Sequence, residues 1–406
     1  MISSTFNNYK SGIFQVNGCP ASVSSSNHAV VIVGYGVDET TGVPYWKVRN
    51  SWGPMWGDGG YFKIQRGVNM CGIESEFNRN SNTTSEDKVR FISFNNTLHG
   101  ILNDYRQGEK TYTLGLNNYA DWTQDELNIL SHGIQLPKDH ISKTNVKPGD
   151  RLLTWNGKSS HGRTILPTSY DLTTKVVPGT AVPFFLSAKS QGKCGSCYAF
   201  AFISLLEFQY TLQSKSSINL SEQQIVDCSI DDNGCGGGYF SNTFKYFQNN
   251  IWKVNGAPYY PYKGINGACA FKSVGGGGMQ FGSLRYIRVP TNNTAAMQQA
   301  LIDYGPLWVS LFIGDQTTLT YQMISSTFKN YKSGIFQVNG CPASVRSSNH
   351  AVVIVGYGVD QTTGIPYWKV RNSWGPTWGD GGYFKIKRGV SMCGIESGAF
   401  YIARAV

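Results

Sequence analysis

Two distant segments of this chain have almost the same sequence, and this repeat limits how the chain can be divided into domains. Residues 1–76 align with residues 323–398 without a gap and at one constant offset. The aligned pairs that differ are Asn7/Lys329, Ser24/Arg346, Glu39/Gln361, Val43/Ile365, Met55/Thr377, Gln65/Lys387, Asn69/Ser391 and Glu76/Gly398. Two copies separated by unrelated sequence are not the short-period repeats of a solenoid. The pattern indicates duplication of one gene segment, and we call these segments the first copy and the second copy.

The first copy begins in the middle of a domain, because Met1 aligns with Met323, an interior residue of the second copy. The first residues lack the basic and apolar regions of a signal peptide. We therefore expect the sequence to begin inside a truncated upstream copy, with the true signal peptide missing; a genuine fusion is the alternative. The predicted segments are the first copy at 1–76, a polar linker at 77–85, a helix-then-strand segment with a polar tail at 86–165, and a main domain at 166–406.

Composition narrows the class of protein. The 406 residues are 40% hydrophobic and 15% charged, which is a foldable globular composition. The formal net charge is +10, but the basic residues are scattered singly and no nucleic-acid motif is present, so nucleic acid is not an expected partner. No run of about 18 apolar residues exists, so no membrane span is expected. The cysteine content is high for a cytosolic enzyme and indicates a disulfide-forming compartment.

The strongest local signal is the sequence QGKCGSCYAFAFISLLEF, from Gln191 to Phe208. Small residues before Cys197 predict a tight turn, and the apolar stretch after it predicts a buried helix. At a helix N-terminus the unpaired N–H groups and the dipole favour an anion, so the pKa of the Cys197 thiol should fall. A thiolate is the nucleophile that acyl chemistry requires. An odd number of cysteines in the main domain leaves one unpaired; a structural cysteine is the alternative reading.

Two further motifs are weak when taken alone. Asn349-His350-Ala351 precedes the apolar run VVIVGYG, and a lone histidine before a strand is usually a structural residue. Asn372-Ser373-Trp374-Gly375 follows the strand-like sequence YWKVR. A carboxamide can accept the second N–H of an imidazole and hold its orientation, and a neighbouring tryptophan can shield that bond from water.

Together and in this order, the three motifs resemble the papain family of cysteine proteases. The resemblance covers residues 166–406 and part of 86–130. It implies an α+β fold with two lobes: a helical left lobe with Cys197 and a β-barrel-like right lobe with His350 and Asn372. It also implies a helical propeptide, protein or peptide substrates, and no cofactor or metal.

The resemblance implies a role for each site residue. Cys197 attacks the scissile carbonyl, and His350 forms a thiolate–imidazolium pair with it and then protonates the leaving amine. Asn372 orients His350, and Trp374 covers that contact. The Gln191 side chain and the backbone N–H of Cys197 form the oxyanion hole.

The resemblance also selects one disulfide pairing among the fifteen that six cysteines allow. It implies Cys194–Cys235, Cys228–Cys269 and Cys341–Cys393, and by alignment Cys19–Cys71 in the first copy. Cys197 then remains free. A lysosomal or secreted location fits such a set of disulfides.

Substrate preference is expected from the pocket for the second residue before the cut. The resemblance places its lining at Gly237, Gly238, Tyr239, Phe240, Asn349 and Gly398. A small residue at position 398 leaves room for bulky apolar or aromatic side chains, whereas an acid such as Glu76 of the first copy would admit basic ones. The alternative is that Tyr239 and Phe240 are plain core aromatics.

Residues 86–121 resemble the inhibitory propeptide of cathepsin L-like enzymes. The matching positions are Glu86, Arg90, Phe94 and Ile101 of the helical ERFNIN spacing, with Thr97 and Tyr105 where Asn is usual, and Gly115, Asn117, Tyr119 and Asp121 of the G-x-N-x-F-x-D motif. By resemblance, this segment packs on the main domain and the tail at 130–165 runs backwards through the cleft and blocks it. Acid should loosen the carboxylate contacts and allow cleavage near Trp155–Leu166.

The leading hypothesis is a lysosomal or secreted cysteine endopeptidase zymogen that hydrolyses peptide bonds, acts as a monomer and has cystatin-like inhibitors as further partners. Tyr198 stands where most family members have Trp and is shared with cathepsin C, which raises an aminodipeptidase alternative; no exclusion domain or occluding loop is visible. A non-catalytic or occluded binding protein, and acyl transfer by the same residues, are the other readings.

The first copy should have no activity of its own. It has His28 and Asn50 but no nucleophile. It also lacks the strand expected from GPLWVSLFIG at Gly305, so we expect an open β edge that invites pairing or exchange with the second copy.

Overall fold

The structure is a computed structural model that describes residues 2–21, 27–75, 85–106, 110–136, 166–271 and 278–404. The chain divides into two compact units, Met1–Phe91 and Ile92–Val406, and the division falls within one long helix. Within the described ranges, no helix combines the length and apolar character needed to cross a membrane.

The first unit is a small sheet with one short helix. Its elements are α1 (Ile2–Asn7), β1 (Ile13–Phe14), β2 (Val31–Val37), β3 (Pro44–Arg49) and β4 (Tyr61–Gln65). The strand order is β1-β4-β3-β2, with β1 parallel to β4 and the other pairs antiparallel, so β2 is at an edge of the described sheet. A small cluster forms its core: Tyr9, Phe14, Val48, Phe62 and Ile64.

Three elements form what we call the propeptide segment, residues 85–136. They are α2 (Ser85–Arg106), β5 (Tyr112–Leu114) and α3 (Gln124–Leu130). Helix α2 begins at Ser85, the last residue of the predicted linker. The rest of that linker and the tail at 137–165 lie outside the described residues, as does most of the expected cleavage region.

The helical half of the main domain surrounds one apolar helix. Its elements are α4 (Cys197–Ser214), α5 (Glu222–Cys228), α6 (Phe240–Asn249), and the strand pair β7 (Lys253–Asn255) and β8 (Gly278–Gln280). Because α4 is apolar around its whole circumference, every residue from Cys197 to Phe208 is buried. The helix therefore lies at the centre of this half, as its sequence predicts.

The second half of the main domain is built on a sheet. Its elements are β6 (Tyr170–Asp171), β9 (Leu284–Val289), α7 (Thr294–Tyr304), β10 (Leu307–Leu311), α8 (Leu319–Lys329), β11 (Tyr331–Phe336), β12 (His350–Val359), β13 (Pro366–Arg371), β14 (Tyr383–Lys387) and β15 (Ala399–Arg404). The strand order is β5-β11-β14-β13-β12-β10-β15-β9, with β6 also paired to β12. This is the expected α+β fold of two halves, although the described strands form an open path rather than a closed barrel.

The centre of the sheet packs on the helical half. Strand β12 is buried along almost its whole length. On one face, Ala351, Val353 and Val355 belong to the same apolar cluster as Cys197 and much of α4. The two catalytic candidates on either side of this contact, Cys197 and His350, are thus positioned by one core.

The disulfides pair the cysteines as the family resemblance implies. The pairs are Cys19–Cys71, Cys194–Cys235, Cys228–Cys269 and Cys341–Cys393. Cys197 is the free cysteine, and it is buried.

Candidate active site

Cys197 is the first residue of α4, and its sulfur is held by the facing sheet. The backbone N–H of Ala351, on β12, donates to Cys197 Sγ at 3.2 Å. The tight turn before the helix is closed by backbone hydrogen bonds from Gly195 to Cys235 and from Ser196 to Cys194. The local sequence therefore places a cysteine side chain at a helix N-terminus, directed at the start of β12.

His350 and Asn372 meet because their strands are neighbours. His350 is the first residue of β12, Asn372 follows the last residue of β13, and the two strands are antiparallel. His350 Nε2 lies 2.8 Å from Asn372 Oδ1. The backbone N–H of Ser373 donates to the same oxygen at 2.8 Å, which fixes the amide so that its oxygen accepts from the imidazole. Nδ1 of His350 is then the nitrogen that remains for proton exchange with Cys197.

Trp374 covers the imidazole. Its ring centroid lies 5.3 Å from that of His350, and the tryptophan is buried. The rings of Phe328 and Trp378 pack on Trp374, with ring centroids 5.3 Å and 5.2 Å away. The hydrogen bond between His350 and Asn372 therefore lies in an aromatic environment that excludes water.

Gln191 is held at both ends of its side chain. Nε2 donates to the carbonyl of Cys194 at 2.9 Å, and Oε1 accepts from the Ser373 hydroxyl at 2.6 Å. An amide nitrogen has two N–H groups, so one remains for a developing oxyanion. Sequence reasoning missed the role of Ser373, although this residue lies inside the motif that carries Asn372.

Burial determines the protonation states of Cys197 and His350. It raises the pKa of Cys197 to about 12, although the N–H groups of Ala351 and Tyr198 act in the opposite direction. It lowers the pKa of His350 to about 4, against the effects of Asn372 and the Leu130 carbonyl. The lowered thiol pKa predicted from the helix N-terminus is therefore wrong for this closed state, because burial of the thiol outweighs the hydrogen bonds from the nearby backbone N–H groups.

The propeptide segment lies directly on the sulfur. A Cβ atom at Gly133 would collide with Cys197 Sγ, so a residue with a side chain does not fit there. The backbone of Gly133 accepts from Gly238 N at 3.2 Å, and Gln135 N donates to Gly238 O at 3.0 Å. Ile134 forms a parallel bridge with Gly238. No motif in the sequence distinguishes Gly133; its role comes from this contact alone.

The residues predicted to line the substrate pocket do not all lie on one surface. The Tyr239 hydroxyl is 3.9 Å from the place where a Cβ on Gly398 would lie, so these two residues are neighbours. The ring of Phe240 is fully buried and stacks on Phe400, with centroids 4.7 Å apart, which places it in the core behind Tyr239. Asn349 binds the loop after β10, with its amide nitrogen 2.8 Å from the Gly314 carbonyl.

The motif residues of the propeptide segment contact the sheet half. The Tyr119 hydroxyl donates to the Trp374 carbonyl at 2.9 Å, and Asn117 Nδ2 donates to the Lys329 carbonyl at 2.8 Å. Lys329 Nζ donates to the hydroxyl of Thr97, a residue of the helical motif, at 2.9 Å. Burial lowers the pKa of Lys329 to about 8, partly offset by Asp121. Sequence reasoning missed Lys329, which aligns with Asn7 of the first copy.

The first copy keeps part of the same arrangement. His28 Nε2 lies 2.8 Å from Asn50 Oδ1, and the rings of His28 and Trp52 are 4.9 Å apart. No residue of the first copy aligns with Cys197.

Comparison with known proteins extends these observations. The family profile described as "Papain family cysteine protease" matches residues 1–80 and 166–403, and the profile "Cathepsin propeptide inhibitor domain (I29)" matches residues 74–127. "Cysteine proteinase 2" of Zea mays is 33% identical over 327 residues, which are 80% of this chain and 81% of that protein. "Cathepsin L" of Sarcophaga peregrina is 31% identical over 78% of this chain and 86% of that protein.

The fold has solved counterparts. The structure of digestive procathepsin L 3 from the larval midgut of Tenebrio molitor aligns with a TM-score of 0.61 and 26% identity. The alignment covers 81% of this chain and 96% of that one. That structure is a proform, and the propeptide segment and main domain described above have the arrangement of a proform as well.

Proposed function

Because the chain belongs to the papain family of cysteine proteases, we propose that it is an endopeptidase zymogen in which Cys197, His350 and Asn372 carry out peptide hydrolysis. The observation that carries the proposal is the free Cys197 at the N-terminus of α4, facing the start of the strand whose His350 is hydrogen-bonded to Asn372. A non-catalytic cysteine would not need an oriented imidazole beside it.

The geometry supports the following steps. When the cleft is open, the proton of Cys197 passes to His350 Nδ1, and the resulting thiolate attacks the peptide carbonyl carbon. The carbon–nitrogen bond breaks as His350 returns that proton to the leaving amine, which leaves a thioester. Water then attacks the thioester, and the acid and the thiol are released.

Oxyanion stabilisation belongs to Gln191 and the Cys197 backbone N–H. The amide of Gln191 is preset by its bonds to Cys194 and Ser373, so it need not reorganise during the reaction. Loss of one such donor costs about a hundred- to a thousandfold in turnover. We therefore assign Gln191 a direct role in the reaction.

An apolar preference of the pocket is supported by the apolar character of the propeptide segment beside it. Ile134 and Leu136 of the propeptide segment pack against the apolar cluster that contains Tyr239. We propose that bulky apolar residues precede the cut by two positions.

The position of the propeptide segment supports latency, and the disulfides support the proposed location. The propeptide segment occupies the cleft and must leave before a substrate can enter. The disulfides fit an oxidising compartment, which supports a lysosomal or secreted location. Protein substrates, cystatin-like inhibitors and a predominantly monomeric state complete the proposal.

The first test is hydrolysis of a Phe-Arg peptide reporter under reducing conditions at about pH 5, with wild type and Cys197→Ala in parallel. We expect activity to appear after acid treatment, together with loss of the amino-terminal mass, and neither change in the variant. A folded wild type with a free Cys197 thiol and no activity would instead favour the occluded binding protein.

The pocket has a matched pair of tests within the chain. Gly398→Glu introduces the residue of the first copy beside Tyr239, and we expect it to shift preference from Phe-Arg to Arg-Arg reporters by about tenfold or more. Gln361→Glu also introduces a first-copy residue, but at an exposed position, and should leave the preference unchanged. Equal preference in both variants would show that position 398 does not face the substrate.

A further inference from the structure

Among the described residues of the first copy, β2 has a neighbouring strand on one side only. In the second copy, β12 lies between β13 and β10, and its register with β10 runs from Ile354 opposite Leu307 to His350 opposite Leu311. In the first unit, β2 has the sequence of the corresponding part of β12 and pairs with β3 in the same register, but it ends the described sheet. The side of β2 that is open corresponds to the side of β12 that β10 occupies.

The length of the strand shows what the neighbour contributes. Strand β12 spans His350–Val359, whereas β2 spans only Val31–Val37. The residues missing from β2, His28–Val30, align with His350–Val352, which pair with β10 and not with β13. The same sequence therefore forms a longer strand where β10 is present.

Side-chain exposure gives the same result. Val31 and Val33 are 61% and 49% exposed, whereas their counterparts Val353 and Val355 are 2% and 0% exposed. In the second copy these valines pack in the apolar cluster that contains α4 and Cys197. The first copy thus exposes the apolar surface that the second copy buries against the Cys197-bearing half.

The chemistry beside this surface is already assembled. The distance from His28 Nε2 to Asn50 Oδ1 equals that from His350 to Asn372, 2.8 Å in both copies. None of the differences between the copies falls within 25–38 or 48–54, the stretches that hold the edge strand, the histidine and the asparagine. In these two stretches, the first copy therefore presents the same side chains as the second copy.

We propose that the first copy is a spare sheet half of the peptidase: it docks on β10 and α4 of a second molecule of this chain, in place of that molecule's second copy, and brings His28 and Asn50 to Cys197. The exchange replaces one set of contacts with a matching set, as in domain swapping. The inference rests on the proposed function, because it uses the same nucleophile and the same reaction.

The test mixes full-length chains that are each inactive. The donor is Cys197→Ala, which keeps His28 but has no nucleophile. The recipient is His28→Ala/His350→Ala, which keeps Cys197 but has no histidine at either position. Donor and recipient are refolded together from urea, brought to about pH 5, and assayed beside the wild type with both the Phe-Arg and the Arg-Arg reporter, because a docked first copy brings Glu76 in place of Gly398.

A matched donor separates the first copy from the second. The donor Cys197→Ala/His28→Ala can offer only its second copy, so activity with this donor reports ordinary exchange of the second copies. Removal of the histidine costs about 10⁴-fold or more, so one docked first copy per hundred recipients would raise the rate about a hundredfold over the recipient alone. We expect that rise with the first donor and not with the matched donor.

Two other results would overturn the proposal. Equal rates with both donors would mean that the first copy does not dock. The absence of activity with both donors would mean the same. A second recipient, His28→Asn/His350→Asn, is prepared in case the alanine recipient misfolds. The circular dichroism spectrum of each recipient is compared with that of the wild type, and the recipient that folds is used. An inactive wild type in the same assay would refute the proposed function instead, so the two failures are distinguishable.

Discussion

At the scale of single residues, the environment of one sulfur depends on a glycine far away in the sequence. Gly133 lies on Cys197, and the segment around it excludes water from the pair of Cys197 and His350. The same cysteine therefore has two electrostatic states: a neutral thiol when the propeptide segment is in place, and an expected thiolate when the cleft is open.

Gly133→Ala should weaken latency. The added Cβ would collide with Cys197 Sγ, and the backbone of Gly133 cannot move away without losing its pairing with Gly238. A strain of about 1–3 kcal/mol corresponds to roughly five- to 150-fold weaker inhibition. The measurement is the rate of acid processing, together with reporter hydrolysis before processing.

The control for this change is Gly282→Ala. Nothing lies within 4 Å of a Cβ at that exposed position, so processing should follow the wild-type time course. If Gly133→Ala processed at the same rate as Gly282→Ala, the contact with the sulfur would not contribute to latency.

The thiol of the zymogen should be unreactive in the neutral range. With a pKa of about 12, Cys197 stays protonated there, and with a pKa of about 4, His350 stays neutral and cannot stabilise a thiolate. Alkylation of Cys197 by iodoacetamide, followed by mass spectrometry, should be slow between about pH 5 and pH 8 and rise with pH, whereas the processed enzyme should react quickly throughout. Fast, pH-independent alkylation of the intact zymogen would contradict this.

At the scale of elements, a buried cluster of charges connects the loop before α4 to α4 and α5. Lys189 Nζ contacts Glu207 Oε1 at 2.6 Å and Glu222 Oε1 at 2.5 Å. Burial alone would lower the pKa of Lys189, but the two carboxylates outweigh it and raise that pKa. Burial raises the pKa of Glu222 to about 7, with Lys189 opposing and Glu207 reinforcing the shift. Two carboxylates thus share one ammonium in a site with little water.

Glu222→Gln should flatten the pH dependence of stability. Because the pKa of Glu222 is raised from its ordinary value of 4.5 to about 7, its contribution to stability is complete below 4.5 and is lost as pH rises through 7. The loss is on the order of 3 kcal/mol. Urea midpoints of the Cys197→Ala zymogen, measured across this range, should fall with pH, and should fall less with Gln at position 222.

Glu39→Gln is the matched control, because the second copy carries Gln361 at that exposed position. It should leave the pH dependence unchanged. A decline that is equally steep with and without Glu222 would place the responsible group elsewhere.

At the scale of the whole molecule, two nearly identical segments have different surroundings. The second copy is built into the long sheet and buries β12, whereas the first copy forms a separate small sheet with an exposed edge. Both copies carry a disulfide that spans the same sequence separation, 52 residues. The effect of the same disulfide on stability can therefore be compared, within one chain, between a small hydrophobic core and a large one.

Removal of these disulfides should have unequal effects. Each closes a loop worth about 4 kcal/mol of chain entropy in the unfolded state. Cys19→Ala/Cys71→Ala should unfold the first unit, because its core is small. Cys341→Ala/Cys393→Ala should only lower the melting temperature of the second unit, by roughly 10 °C.

Limited proteolysis with mass spectrometry, in a Cys197→Ala background, measures this difference. Rapid cleavage within residues 27–75 is expected only for the first double variant. If both variants digested alike in their own copies, the surroundings of the two sheets would not set their stability.

The sequence by itself determined the helix and the strands that carry the candidate site. Local patterns were sufficient to predict that Cys197 begins α4, that a strand follows His350 and that a strand precedes Asn372, because turn residues and apolar runs act over a few positions. The disulfide partners came from the family resemblance.

Only the tertiary structure decided which groups exclude water from the site and which strand completes a sheet. The neutral state of Cys197, the contact with Gly133 and the buried Lys329 depend on residues distant in sequence, and no local pattern encodes such contacts. The two copies show the reason most directly. Their strands share one sequence, yet β12 is long and buried and β2 is short and exposed, because only β12 has β10 beside it.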